Sequence, residues 1–249
     1  MLIVAAIVIF YTRLPLWRYV TVPSEYFKNI IYYWPVAGWL TAFVMAGVLY
    51  ASSLILPVSV AVVLALTSRL LLTGALHEDG LADFFDGFGG GTSKQRILEI
   101  MKDSHTGSFA VLGLILYYLL LFTLLSSLPV WLACLAILAG DPFCKALCAL
   151  ITVRLSYART EAESKVKTVY NNIHPAFYML LVVFGLVPIL FLLPPFYYLA
   201  MVLPVLMFFV LTQLMKIKIQ GYTGDCIGAL FLLVELSFYL SVTVLVNLS

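Results

Sequence analysis

The chain has 249 residues, 63% hydrophobic and only 10% charged, with a formal net charge of +2. Soluble domains carry about 25% charged residues, so this balance, with a mean hydropathy of +1.08, excludes a soluble globular protein and leaves an integral membrane protein. The lipid bilayer is its first partner, and no nucleic acid is expected.

Apolar runs recur almost to the last residue. A backbone in lipid must satisfy its own hydrogen bonds, so the runs are read as helices, and the short alternating pattern of an outer-membrane barrel is missing. Residues 1–11 have no basic start and no small-residue cleavage site, so they do not resemble a removable signal peptide. A span needs about 20 residues, so this short run is expected to form an embedded or interfacial helix.

Spans are expected at about 35–53, 57–76, 107–127, 129–150, 175–193, 196–215 and 224–247. The fold class is therefore an all-α integral membrane protein, one polytopic helical domain over residues 1–249 with about seven transmembrane helices. Short uncharged connections at Ser53 to Leu56, Ser127 to Leu128 and Pro194 to Pro195 pair the spans into hairpins. If the spans cross alternately, every long charged connection falls on one side. Twelve of the fourteen Lys and Arg lie there, and the positive-inside bias makes that side cytoplasmic.

The other two basic residues lie within spans, where an ionisable group is costly unless paired or facing an aqueous cavity. Lys145 follows Asp141 by four residues, a same-face helix pair. Arg69 has no acidic partner on its own helix face and is expected to face a cavity. Cys134, Cys144, Cys148 and Cys226 form no CxxC pair and are read as structural filler.

The stretch "HEDGLADFFDGFGGG", residues 77–91, gathers Glu78, Asp79, Asp83 and Asp86, four of the twelve acidic residues. If the helix continues past Leu76, Asp79, Asp83 and Asp86 sit at i, i+4 and i+7, on one face. Such a density of carboxylates repels itself unless a cation intervenes. All-oxygen ligands suit a hard divalent ion such as Mg²⁺, which keeps positions for water and substrate phosphates; no Cys or second His stands at zinc spacing. The "GFGGGTS" run is expected to break the helix after Asp86. A second helix, roughly Ser93 to Met101, then brings Lys94, Arg96, Glu99, Lys102 and Asp103 toward the next span. Cations beside a carboxylate centre are what phosphate recognition requires, so transfer chemistry on a phosphate-containing substrate is expected. His77 and His105 flank the motif as candidate acids, bases or phosphate ligands, whereas His174 before Pro175 reads as interfacial.

The pair of stretches "HEDGLADFFDGFGGG" and "RILEIMKDSHTGSFAVLG", residues 77–91 and 96–113, resembles the cobalamin synthase family, also called adenosylcobinamide-GDP ribazoletransferase or cobalamin 5′-phosphate synthase. "TRLPL" at 12–16, "YYWPVAG" at 32–38 and "GYTGDCIGA" at 221–229 resemble further family segments, in the family's order. Two segments depart: "FCKAL" at 143–147 stands where the family has Ser-Arg-Trp, and "YARTEAESKVKTVY" at 157–170 keeps Arg159 but lacks the expected glycines.

The resemblance implies that adenosylcobinamide-GDP is joined to α-ribazole, or to its 5′-phosphate, with release of GMP. A ribose 3′-hydroxyl would attack the phosphorus on the aminopropanol arm. Asp79, Asp83 and Asp86 would hold Mg²⁺ as the cofactor, with Glu78 or Asp103 completing the site or taking the hydroxyl proton. Arg96 and Lys102 would bind the diphosphate, with Arg13 and Arg69 as lesser contributors and His77 and His105 beside them. Asp225 would contribute to substrate or metal binding, or cap the last span. The site would occupy about residues 77–106 of a multi-pass protein in a bacterial or archaeal cytoplasmic membrane. A homo-oligomer, or association with other enzymes of cobalamin biosynthesis, stays open.

Two rivals are weighed. A CDP-alcohol phosphotransferase also sets Asp residues on membrane helices, but its Asp-Gly-x-x-Ala-Arg signature is missing: Gly80 is followed by Leu-Ala-Asp. A divalent-cation transporter would want carboxylates near mid-membrane, where only Asp141 and Glu235 qualify.

Overall fold

The computed structural model describes residues 2–158 and 175–248. Arg159, Lys165, Lys167 and His174, and with them most of the 157–170 segment, lie outside the described residues. Among the described residues the regular structure is helical, with one isolated bridge joining Tyr157 to Tyr222.

Helix α1 (Leu2–Tyr11) spans about 15 Å at 1.5 Å per residue, half a bilayer, and packs against a 3₁₀ helix over Ser24–Tyr33 that runs into α2 (Trp34–Ser53). Next come α3 (Val58–Thr73), α4 (Leu76–Gly90) and the short α5 (Lys94–Ile100). The chain continues through α6 (Ser108–Ser127), α7 (Val130–Ala149), α8 (Ile151–Arg154) and α9 (Pro175–Leu192). A 3₁₀ segment, Pro195–Met201, leads into α10 (Val202–Ile219), and α11 (Gly224–Leu248) follows. The three expected hairpins share one device: Pro57, Pro129 and Pro194 each stand just before the returning helix. Proline has no N–H with which to prolong the outgoing helix, and its fixed φ starts the next one.

Each of the seven expected segments forms a helix. Five stretches are long and apolar enough to cross a membrane: Ser24–Ser53, Ser108–Ser127, Val130–Arg154, Pro195–Ile219 and Gly224–Leu248. A sixth is obtained if α3 and α4 count as one broken span, and α9 is a shorter apolar helix. The chain is thus a multi-pass membrane protein, with five or six candidate spans by length and composition among the described residues. One face of α6 buries Tyr117, Leu121, Leu124 and Leu125, while Leu112, Ile115, Leu116, Leu119 and Leu120 are exposed. Lipid, not water, can cover such an apolar face without penalty.

The expected span at 57–76 ends early. Gly74 and Ala75 both adopt the left-handed conformation (φ 64° and 59°), and α4 leaves α3 at 92°. The acidic helix is therefore a separate element that turns across the end of the bundle. It also continues to Gly90 instead of breaking after Asp86.

Lipid tails give helices no hydrophobic reason to associate, so small residues at the crossings matter. A Cβ at Gly80 would lie 2.8 Å from the Asp225 carbonyl oxygen, and one at Gly228 would lie 3.1 Å from that of His77. Two glycines on opposing helices thus let the α4 and α11 backbones touch. Gly38 likewise admits Pro142, closing α2 on α7.

Two buried ion pairs bind the bundle internally. Arg69 on α3 donates from one guanidinium nitrogen to both oxygens of Glu235 on α11, at 2.7 and 2.8 Å, and from the other to Tyr117 Oη at 3.2 Å. Tyr239 Oη donates to Glu235 at 3.1 Å. Arg69 is only 3% exposed, which corrects the expectation that it faces a cavity: its acidic partner comes from a helix distant in sequence. Lys145 pairs with Asp141, as their spacing suggests, and donates to Thr41 at 2.8 Å, while Thr41 donates to Asp141 at 2.7 Å.

Candidate active site

Helix α4 sorts the motif by face. Asp79, Asp83 and Asp86 fall on the side that lines a cavity of about 220 Å³, with Ala82 between them and Lys102, Asp103, Ser104, His105 and Thr106 opposite. Exposure declines along the row: Asp79 is exposed, Asp83 half-buried and Asp86 buried. The i, i+4, i+7 reading of the three aspartates therefore places them on one cavity wall.

Their neighbours turn the other way. His77 is buried among the rings of Tyr11, Trp34 and Phe231, with centroids 6.4, 5.5 and 5.1 Å away. Glu78 is buried beside Tyr118 and Arg69. Both were expected at the substrate or metal, and neither lines the cavity. The reason is helical: each residue advances about 100°, so the positions just before Asp79 project into the bundle.

The opposite wall is the connection between α5 and α6. Ser93 caps α5 by accepting from Arg96 N at 3.3 Å. Arg96 lies on the exposed side of that helix, 3.4 Å from Glu99, and outside the cavity. Lys102, just past the helix, reaches the cavity instead. Lys94 donates to Gln220 at 3.2 Å, tying α5 to the end of α10. Asp103 Oδ1 accepts from the His105 backbone at 3.1 Å and lies 2.6 Å from His105 Nδ1. That hydrogen bond holds the Asp103 carboxyl below the ordinary carboxylate range and pushes the His105 imidazole above its ordinary value.

Arg13 lies at the α3–α4 corner, where its backbone N–H donates to Leu72 O at 2.7 Å and its side chain covers Gly74; it does not line the cavity. Asp225 stands in the first turn of α11, its backbone against Gly80. Thr223, not Asp225, caps that helix, with its Oγ1 accepting from Cys226 N at 3.2 Å. Ser104 and Thr106 were not singled out from sequence. Their only signal was position, between the charged residues of "KDSHTG".

Among the described residues, no three His, Cys, Asp or Glu side chains are gathered closely enough to hold a metal by themselves. Mg²⁺ rarely asks for such a cage, since it is usually held by one or two carboxylates plus water and substrate phosphate. Asp79 and Asp83 on the cavity wall fit that partial donor set.

The family described as cobalamin-5-phosphate synthase matches residues 3–243 of this chain. A curated adenosylcobinamide-GDP ribazoletransferase of Leptospira interrogans is 35% identical over 248 residues, covering 94% of this chain and 92% of that protein. One of the same name from Shewanella amazonensis is 38% identical over 237 residues, covering 93% and 90%. No solved structure matches the chain.

Proposed function

From the premise that the chain belongs to the cobalamin-5-phosphate synthase family, we propose how its cavity carries out the reaction. The protein is a transferase of cobalamin nucleotide-loop assembly. It joins adenosylcobinamide-GDP to α-ribazole or its 5′-phosphate and releases GMP.

Asp79 and Asp83 are the residues that would hold a divalent cation, Mg²⁺, in this cavity. Such an ion would supply positive charge for the negative charge that develops toward the departing GMP. Lys102, on the facing wall, binds the remaining diphosphate charge. The ribose 3′-hydroxyl attacks the phosphorus on the aminopropanol arm, and the bond to GMP breaks. Its proton leaves through the Asp103–His105 pair: the bond at Nδ1 orients the imidazole, and Nε2 takes the proton. The site faces the cytoplasm of a bacterial or archaeal cell: the long charged connections carry the Lys and Arg that the positive-inside bias keeps on that side.

The observation that carries this reading is one cavity with Asp79 and Asp83 on one wall and Lys102, Asp103 and His105 on the other. A transporter reading loses support, since its two mid-span carboxylates, Asp141 and Glu235, are each ion-paired. The test is GMP release by detergent-purified protein given adenosylcobinamide-GDP and α-ribazole 5′-phosphate, with Mg²⁺ or with EDTA. Metal-dependent release coupled to a cobamide product is expected; equal release in EDTA would remove the cation, and no release from folded protein would remove the proposed mechanism.

A further inference from the structure

Asp86 shares a cavity wall with Asp79 and Asp83 but lies deeper, with both its oxygens bonded to backbone amides. Resting on the reading of the site given above, we propose that Asp86 is a positioning residue: it caps α6 from a different helix and so holds the 102–107 connection against the carboxylate wall of α4.

Helix α6 starts at Ser108, and the residue at its N-cap position is Gly107, which has no side chain to offer. The first amides of a helix have no intrahelical acceptor and need one from elsewhere. Asp86 supplies it with both oxygens. Oδ2 accepts from Gly107 N at 2.6 Å, and Oδ1 accepts from Ala110 N at 2.9 Å. This is the pattern of a side-chain cap, delivered across the fold from α4.

Three further features agree. Asp86 is 9% exposed, whereas Asp79 is open to the cavity. Gly107 has φ −89°, a conformation open to any residue, so backbone freedom does not require glycine there. Space does: a Cβ at Gly107 would lie 2.6 Å from Asp86 Oδ1. The N-terminus of a helix also carries partial positive charge, which favours a carboxylate and disfavours a divalent cation beside it. An ion held by Asp79 and Asp83 is better placed at their end of the cavity than at the α6 terminus.

The consequence reaches the substrate wall. Lys102, Asp103 and His105 lie on a connection that leaves α5 at Met101 and is fastened again at Gly107. Without the Asp86 cap, the second attachment is lost and the diphosphate-binding wall is free to move.

The test uses full-length protein in detergent, comparing wild type with Asp86→Asn, Gly107→Ala, Asp79→Asn and Asp83→Asn. Mn²⁺ alone, followed by electron paramagnetic resonance, probes metal affinity, and tryptic cleavage after Lys102 probes the connection. Asp86→Asn is expected to keep Mn²⁺ affinity within about threefold of wild type while cleavage after Lys102 quickens about tenfold, the scale of losing one hydrogen bond to a charged acceptor. The KM for adenosylcobinamide-GDP should rise more than kcat falls. Gly107→Ala displaces the carboxylate without removing it, so it should show the same pattern and decides the question if Asp86→Asn does not fold. Loss of Mn²⁺ binding in Asp86→Asn equal to that in Asp79→Asn would make Asp86 a ligand and overturn the proposal. Unchanged cleavage in both Asp86→Asn and Gly107→Ala would overturn it as well. Wild-type Mn²⁺ affinity in Asp79→Asn and Asp83→Asn would instead remove the metal reading, while cleavage still judges Asp86.

Discussion

Asp79 and Asp83 face a wall that carries Lys102 and His105, and this setting distinguishes them from an ordinary solvated acidic turn. Asp83→Asn keeps the shape and removes the charge proposed to hold the cation. A bound metal contributes several kcal/mol of charge stabilisation to such a transfer, so turnover should fall by about a thousandfold. The melting temperature should stay near that of wild type, because insertion rests on the apolar spans; near-normal activity at limiting Mg²⁺ would sink the assignment. The Asp103–His105 pair supplies a pH signature. The imidazole is raised by its hydrogen bond to Asp103, and the carboxyl is lowered by the same bond. The histidine contribution to order in the connection is full below the unfolded imidazole pKa and is lost as pH rises through the raised value. The aspartate contribution is present above the unfolded carboxyl pKa and is lost as pH falls through the lowered one. Protection from hydrogen exchange at residues 103–106, relative to the unprotected rate at each pH, should therefore be greatest between those limits, and Asp103→Asn should bring the His105 midpoint, read by NMR, down toward about 6.5. An unmoved midpoint would contradict the pairing. At this scale the motif showed which residue types matter, but the facing of Glu78 and His77 into the bundle followed only from where α4 begins.

Two consecutive left-handed residues, Gly74 and Ala75, turn α3 into α4. The corner makes α4 a crossbar at the end of the bundle instead of a prolonged span, so its carboxylates meet water and substrate. Gly74→Ala adds a left-handed side chain at a cost of about 1–2 kcal/mol, and its Cβ would also meet the Arg13 side chain that covers this glycine. A lowered melting temperature is expected, with activity per folded molecule falling too, since α4 must tilt; a melt identical to wild type would show that the corner adapts. "LTGALHEDG" offered the glycine as a turn signal, but Ala75 is no usual left-handed residue and nothing local announces it. The helix that follows it packs on α11 through Gly80 and Gly228, a contact between elements far apart in the sequence.

Across the whole molecule, the Arg69–Glu235 pair joins α3 to α11, and α4, which follows α3 at a right-angled bend, packs against α11 as well. Removing one member of a buried pair strands the other charge, which costs about 3–5 kcal/mol, whereas replacing both by apolar residues is often neutral. Arg69→Leu alone should therefore lower the melting temperature far more than Arg69→Leu combined with Glu235→Leu. Additive losses in that double-mutant cycle would deny the coupling. Helical class, membrane character, the apolar helices and the carboxylate-rich motif were legible in the sequence, because hydropathy and helical spacing are local properties set by neighbours a few residues apart. The partner of Arg69, the right-angled corner before α4, the capping of α6 by Asp86 and the exclusion of Arg96 and Arg13 from the cavity were decided by the tertiary structure alone. Each depends on which helices meet and at what angle, and that is settled by contacts between separate elements that no local stretch of sequence displays.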